Sequence, residues 1–413
     1  MKVVITGGGT GGHIFPGVAV AQALGRSTPG VDILFLGGSR GLEATAVPAE
    51  GYAFAPVPAR GLLGKRWLAV PVVLWTTMRG VAVSYRRLSE FDPDVVFATG
   101  GYVSGAVAVA ARLLRKPVIL HEQNSVPGLT NRLLSRIAHE VHLGLPAARR
   151  HFPKRRHLRL SGSPIREAVL RGDPERGREE FDLDPGRATV LVLGGSQGAR
   201  SINRASVAAI RALRRRRDLQ FILQTGRRDH GWAQRRLRGL RDQVRIRSFI
   251  QNMGEAYAVA DLIVARAGAM TLAELTACGK PSILVPFPHA THNHQEANAR
   301  SLVDAGAASM ILDRQLKGQL LASTIAKLID TPRKLREMSH NALTLARPDA
   351  AEKIAAAVAR FGGGNGDSGA DAGRPVARRA TRGKEPRIRG ESTRSAKPKR
   401  RSRASRGGGR RSQ

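Results

Sequence analysis

Two glycine-rich turns carry the first chemical signal: Gly7-Gly8-Gly9-Thr10-Gly11-Gly12-His13 and Gly194-Gly195-Ser196-Gln197-Gly198-Ala199. Each follows an apolar run, Val3-Val4-Ile5 or Val190-Leu191-Val192-Leu193, and each opens a helix-like stretch. Strand, glycine turn and helix together present backbone N–H groups and a helix N-terminus, the positive end that a phosphate seeks. Their recurrence near the start of each half points to a phosphorylated ligand between two α/β domains. His13 lies at the mouth of the first helix, where the dipole disfavours imidazolium and leaves a neutral ring able to take a proton. A capping or packing histidine is the plainer alternative.

Further polar groups follow strands. Thr99-Gly100-Gly101-Tyr102-Val103-Ser104-Gly105 is a third glycine turn, and His121-Glu122-Gln123-Asn124 ends the next strand. Open α/β sheets place ligands at strand carboxyl ends, so these residues imply a polar cleft in the first half. Ordinary capping explains some of the positions. In the second half, Arg266-Ala267-Gly268-Ala269-Met270-Thr271-Leu272-Ala273-Glu274 puts a carboxylate in the first turn of a helix. It serves there either as a dipole partner or as acceptor of two ribose hydroxyls. Pro286-Phe287-Pro288-His289 and His292-Asn293-His294-Gln295 fall on the same edge.

Several rival chemistries lack their anchors. Gly7 through Gly12 satisfies the dinucleotide pattern G-x-G-x-x-G, which requires an acid at the end of the second strand to hold a ribose diol. That strand ends in Gly37-Gly38-Ser39-Arg40, and Asp32 stands at its beginning. His289, His292 and His294 have neither the spacing nor the Cys or Asp partners of a zinc site. Asp182-Leu183-Asp184 reads as a turn before a strand rather than a metal motif. No metal and no cofactor are expected. The single cysteine, Cys278, fits a reducing compartment and reads as a small buried residue near a helix end.

The elements that must position these groups alternate. Strands are expected at Val3–Thr6, Ile33–Leu36, Val95–Ala98, Val118–His121 and Val141–Leu143, then at Thr189–Leu193, Gln220–Gln224, Val244–Ser248, Leu262–Ala265, Ser282–Val285 and Ser309–Leu312. Helices are expected between them at Val18–Leu24, Leu68–Leu88, Gly105–Leu114 and Gly128–Ile137. In the second half they fall at Ser201–Arg214, Trp232–Leu240, Met253–Val259, Thr271–Cys278, Gln295–Ala305 and Gln319–Leu328. Arg333–Ala346 and Ala350–Phe361 close the fold. Apolar strands alternating with helices imply α/β domains whose parallel sheets are covered on both faces. The chain of 413 residues suffices for two cores, and with aromatics at 4% those cores must be built of Ala, Val, Leu and Gly.

Charge points toward anions. The formal net charge is +36, of which Gly362–Gln413 supplies 16 Lys/Arg against 4 Asp/Glu. That tail lacks large apolar residues and is expected to be disordered. The remainder is itself basic, which attracts nucleic acid, anionic lipid or phosphorylated substrates alike. Trp67-Leu68-Ala69-Val70-Pro71-Val72-Val73-Leu74-Trp75, rimmed by Lys65, Arg66 and Arg79, is too short to span a bilayer. It suits either an anionic membrane surface or a helix buried on the sheet.

Five motifs in order carry a resemblance. Gly-Gly-Thr-Gly-Gly-His-Ile-Phe-Pro at 8–16, Gly-Gly-Tyr-Val-Ser-Gly at 100–105, His-Glu-Gln-Asn at 121–124, Pro-Gly-Leu-Thr-Asn at 127–131 and Gly-Gly-Ser-Gln-Gly-Ala at 194–199 resemble the MurG family of bacterial glycosyltransferases. The likeness runs from about Lys2 to Phe361. It implies a GT-B fold, two Rossmann-like parallel-sheet domains facing across a cleft. Residues 1–162 would form the acceptor and membrane domain and 163–346 the donor domain. A helix at about 347–361 would return to the first domain, before the basic tail 362–413. The implied reaction is inverting, metal-independent transfer of N-acetylglucosamine from UDP-N-acetylglucosamine to the C4 hydroxyl of the muramoyl sugar of lipid I, giving lipid II for peptidoglycan. It would occur at the cytoplasmic face of the cell membrane, on an anionic surface.

Carried over by position, Thr10, Gly11, Gly12 and Asn124 would touch the donor from the first domain. Arg166, Ser196, Ile250, Ala269, Met270, Thr271, Leu272, Ala273, Glu274 and Gln295 would touch it from the second. Glu274 would hold the ribose and the Ile250 backbone the uracil. The acceptor would lie near His13, Tyr102 and Glu122, with His13 as base and Glu122 as the second candidate. A diacylglycerol glycosyltransferase of the same fold is one alternative. A nucleic-acid-binding protein is another, but scarce aromatic platforms and unexplained glycine turns count against nucleic acid as a partner of the core.

Overall fold

Val3, Val4 and Ile5 are each at most 1% exposed. Successive strand side chains point to opposite faces, so a run buried throughout belongs to a sheet covered on both sides. The structure, a computed structural model, describes residues 1–39, 41–59, 70–153, 157–195 and 197–363. Ser196, residues 60–69 of the apolar stretch, residues 154–156 and the tail from residue 364 lie outside the described residues.

Two parallel sheets organise the chain. The first joins β1 (Lys2–Gly7), β2 (Asp32–Gly37), β3 (Ala53–Pro56), β4 (Val95–Gly100), β5 (Val118–Glu122), β6 (Glu140–Leu143) and β7 (Leu158–Leu160) in the order β3-β2-β1-β4-β5-β6-β7. The second joins β8 (Ala188–Leu193), β9 (Leu219–Gln224), β10 (Val244–Arg247), β11 (Leu262–Ala265), β12 (Ser282–Leu284) and β13 (Ala308–Met310) in the order β10-β9-β8-β11-β12-β13. The helices are α1 (Gly11–Ser27), α2 (Glu43–Ala49), α3 (Val70–Phe91), α4 (Tyr102–Leu113), α5 (Leu129–Leu134), α6 (Glu167–Leu170), α7 (Pro174–Phe181) and α8 (Arg200–Ala212). They continue with α9 (His230–Arg236), α10 (Met253–Val259), α11 (Ala269–Ala277), α12 (His294–Asp304), α13 (Gly318–Ile329), α14 (Pro332–Leu345) and α15 (Ala350–Gly362).

Strand order reverses between β1 and β4 and again between β8 and β11. Connections leave such a point in opposite directions, opening a crevice at the carboxyl ends. The three glycine turns and the Arg266-Ala267-Gly268 segment all follow these four strands. Packing alternates as the strands require. Val3, Ile5, Phe35 and Phe97 face α1 and α15, whereas Val4, Leu36, Val96 and Ala98 face α3 and α4. Ile354 and Val358 of α15 are fully buried, and Arg360 donates to Glu140 of β6 at 2.8 Å.

Some boundaries differ from expectation. β3 and β7 are short edge strands whose few residues carry no period, so pairing with a neighbour creates them. α1 begins at Gly11 rather than Val18 because Thr10 is extended and the His13 and Ile14 amides donate back to its carbonyl. α7 carried a readable signal: Asp173 accepts from the Glu175 and Arg176 amides, with Pro174 at the first helical position.

His121 of β5 pairs in register with His142 of β6, and both are buried. Burial pulls the His121 imidazole down from 6.5 to about 3, against its bond to the Gly162 carbonyl, while His142 and His13 lower it further. The unfolded chain takes up this proton first, so the stabilisation is complete above pH 6.5 and is lost as pH falls toward 3. We predict a loss of about 1.4 kcal/mol per pH unit from this group across that window. Urea midpoints measured from neutral pH downward should show it, and His121→Gln should flatten the slope. Equal slopes would remove His121 from the account.

Candidate functional site

The first crevice is tied together at Thr99, a fully buried residue of β4. Its hydroxyl donates to the His13 carbonyl at 2.6 Å, with the Thr6 carbonyl 3.2 Å away. Its own carbonyl accepts Gln123 Nε2 at 2.7 Å and contacts His13 Nδ1 at 2.9 Å. A carbonyl only accepts, so Nδ1 carries the proton and Nε2 keeps the lone pair. Burial lowers His13's pKa below the usual histidine value; the Thr99 bond opposes it, His294 of α12 adds to it, and Glu43 opposes it. Gly101 must be glycine: its φ is +88°, and a Cβ would strike the Gly8 carbonyl where the two turns cross.

Glu122 ends β5 at 1% exposure. One oxygen accepts the Asn124 amide at 2.9 Å and Asn124 Nδ2 at 3.2 Å; the other accepts Asn131 Nδ2 at 2.8 Å. Burial raises its pKa against those bonds. Tyr102 opens α4 at 46% exposure, and Thr10 is exposed with no side-chain capping bond. Gly11 and Gly12 form the first turn of α1.

In the second half, the α8 and α11 N-termini have no acidic residue in their first turns and no capping side chain. Their leading N–H groups face the crevice side of the β8 and β11 ends. Glu274 lies in the second turn of α11, not the first, because the helix begins at Ala269. A dipole role is thereby removed. Instead Tyr257 donates to it at 2.8 Å; burial raises its pKa, and the Tyr257 bond and then Arg166 hold it down. Ala269 and Leu272 pack into the core, while Met270, Thr271 and Ala273 stay half-buried. Ile250 is buried, at 2% exposure. Gln295 accepts the Phe287 amide at 3.0 Å.

Contacts between the halves converge on the same place. Asn298 of α12, fully buried, accepts the Ser125 amide at 2.9 Å and donates to Asn124 Oδ1 at 3.3 Å and to the Ala267 carbonyl at 3.2 Å. Arg166 stacks 4.4 Å over Phe15 and lies 3.7 Å from Glu50. His292 and Asn293, at φ 51° and 52°, bend the chain into α12 and bring His294 toward His13.

Tyr257, Asn131, Asn298, His294 and Glu43 therefore belong to the site although spacing did not assign them roles. β2 itself ends without a carboxylate, as its residues read, and Glu43 of α2 accepts the Gly38 amide just beyond it at 2.9 Å. Asp182 binds Arg245 at 2.7 Å and Asp184 accepts the Gly186 amide at 2.8 Å, as in a turn. Among the described residues, no group of three His, Cys, Asp or Glu side chains is arranged to hold a metal ion. Burial pushes the Cys278 thiol up to about 11 at the end of α11.

The glycosyltransferase family 28 N-terminal domain matches residues 3–143, and the family's C-terminal domain matches residues 189–354. The chain is 43% identical over 355 residues to the UDP-N-acetylglucosamine–N-acetylmuramyl-(pentapeptide) pyrophosphoryl-undecaprenol N-acetylglucosamine transferase of Thermodesulfovibrio yellowstonii, covering 86% of this chain and 97% of the relative. The Moorella thermoacetica protein of the same name is 44% identical over 361 residues, with the same coverage. The crystal structure of Acinetobacter baumannii MurG matches with a TM-score of 0.67 at 29% identity, over 87% of this chain and 99% of that one. A Neisseria meningitidis UDP-GlcNAc 2-epimerase bound to UDP-GlcNAc shares the fold, at TM-score 0.63 and 14% identity over 87% of this chain and 100% of that one.

Proposed function

Since the chain belongs to glycosyltransferase family 28, among the MurG-type transferases, we propose how its own residues carry that reaction. It transfers N-acetylglucosamine from UDP-N-acetylglucosamine to the pyrophosphoryl-undecaprenol-linked N-acetylmuramyl-pentapeptide, the lipid I that becomes lipid II in peptidoglycan synthesis. His13 Nε2 takes the proton of the muramoyl C4 hydroxyl as that oxygen bonds to C1 of the sugar. The C1–O bond to the diphosphate breaks, its electron pair leaves on UDP, and attack from the opposite face inverts the centre. The observation that carries this role is the His13 Nδ1 contact with the Thr99 carbonyl at 2.9 Å, which presents Nε2 as the acceptor.

Charge developing on the diphosphate is met by the α8 and α11 N-termini and by Arg166, and Ser196, which lies outside the described residues, is assigned to the donor from its sequence position alone. Peptide dipoles thus act where other transferases use a cation, and the transfer needs no metal. Glu274 accepts the ribose hydroxyls, the Ile250 backbone meets the uracil, and Gln295 with the Ala269–Glu274 segment encloses the donor. Thr10, Gly11, Gly12 and Asn124 close over it from the first sheet, and Tyr102 faces the acceptor. Glu122, with both oxygens occupied by Asn124 and Asn131, orders Asn124 rather than taking the proton.

The enzyme works on an anionic inner-membrane surface. Leu74, Trp75 and Met78 of α3 are 60–64% exposed, with Arg79 5.6 Å over the Trp75 ring, and Leu129 and Leu133 add apolar surface on α5 beside Arg132. Among the described residues no helix is long and apolar enough to cross a membrane. Nucleic acid has no part in this reading of the core.

Four outcomes test the reading. His13→Ala should lower kcat about 100-fold or more with donor KM nearly unchanged, and Glu274→Ala should instead raise donor KM about tenfold; a normal kcat in the first would remove the base. Full turnover in excess EDTA is expected, and magnesium-dependent rescue of a chelated enzyme would end the metal-free account. Cosedimentation with phosphatidylglycerol vesicles should weaken about tenfold in Trp75→Ser/Met78→Ser, while undiminished binding would place the membrane contact elsewhere.

A further inference from the structure

We propose that Glu43 is a positioning residue for the transfer: its carboxylate is the resident anion of the first glycine turn and steadies the imidazolium that forms on His13. The proposal rests on His13 being the base.

Glu43 opens α2 and is 2% exposed. Its carboxylate accepts the Gly9 amide at 3.2 and 3.3 Å and the Gly38 amide at 2.9 Å. A buried carboxylate without a cation is costly unless amides replace its water, and its partners among the described residues are these amides. The chain reserves the space: a Cβ at Gly8, Gly38 or Gly41 would run into the Glu43 carboxylate. Three glycines from two separate turns thus form a cradle around one side chain, and the Gly9 amide is not left for phosphate. Anion binding by the substrate falls to the second-half turns.

His13 and Glu43 line the same small void behind the turn, with Thr99 and Phe35. Among the groups acting on His13, His294 of α12 opposes a positive charge and Glu43 favours it, while the Thr99 carbonyl fixes the ring. His121 of β5, pulled down to about 3 by burial, carries no charge in the working range and offers the imidazolium no compensation. Removing the Glu43 charge therefore leaves the His13 imidazolium without its compensating carboxylate from α2. Proton affinity falls, the base weakens, and the acidic limb of the rate profile moves to lower pH.

The test measures kcat and KM against pH for the full chain, with UDP-N-acetylglucosamine and a lipid I analogue. Glu43→Gln, which keeps the shape, should lower the kcat plateau about tenfold and shift the acidic limb down by about half a unit or more, with donor KM unchanged. Glu43→Asp, which keeps the charge, should hold the limb near its original position. In a His13→Ala background, Glu43→Gln should cost nothing further. An unmoved limb in Glu43→Gln, equal shifts in the Gln and Asp variants, or an undiminished second loss without His13 would each overturn the proposal. If His13→Ala alone kept a normal kcat, the assignment of the base would fail first, and this role with it. Should Glu43→Gln not fold, the same limb comparison in Glu43→Asp decides: a limb displaced by half a unit or more counts against a charge role.

Discussion

One residue holds the site in register. Thr99 bonds through its hydroxyl to the His13 carbonyl, beside that of Thr6, and through its carbonyl to His13 and Gln123. Four segments, β1, α1, β4 and the end of β5, are thereby fixed relative to one imidazole. Each neutral bond contributes only about 1 kcal/mol, so stability is not their main consequence. Direction is. The proton on His13 Nδ1 is determined by geometry, and the proposed proton transfer to Nε2 needs that tautomer before the substrate arrives. Ser104 extends the arrangement by donating to the Gly100 carbonyl at 2.7 Å, with the Thr6 carbonyl 3.1 Å away.

Neutral histidines, two buried carboxylates on amides, and helix N-termini set the local potential, each strengthened by exclusion of water. Glu122 and Glu274 are both raised in pKa by burial and both restrained by hydrogen bonds, from Asn124 and Asn131 in one case and from Tyr257 in the other. A carboxylate so restrained is a fixed acceptor. That suits hydroxyl recognition better than proton transfer, which asks for an open lone pair beside the reacting oxygen.

Much of this was legible in the residues. The central strands are apolar without interruption, and Leu262–Ala265 and Met253–Val259 fall where their bounding polar residues put them. Glycine turns after strands located both crevices, because only glycine allows such close crossings. What spacing could not carry is contact across distance. Glu43 meets Gly9 over 34 residues of chain, and Tyr257 meets Glu274 between two helices. Glu274 falls in the second turn rather than the first, because Gly268 is a weak start signal and the helix begins two residues before the expected Thr271. The short edge strands β3 and β7 exist through pairing alone, which no local pattern announces.

Magnitudes decide how the halves communicate. Arg26 bridges to Glu167 of the second half at 3.0 Å, but the pair is solvent-exposed, and such pairs contribute about 0–1 kcal/mol. Asn298 is fully buried, and removing its amide would leave the Ser125 amide and the Ala267 carbonyl unsatisfied, at about 1–3 kcal/mol each. The relation between the sheets is therefore governed by Asn298 rather than by the visible ion pairs. Asn124 shares that bond, and Arg166 is already stacked on Phe15. In the proposed site a donor does not enter an idle pocket. There Asn124 and Arg166 are already engaged, with Asn298 and with Phe15, so a donor held by them would compete with contacts that join the halves.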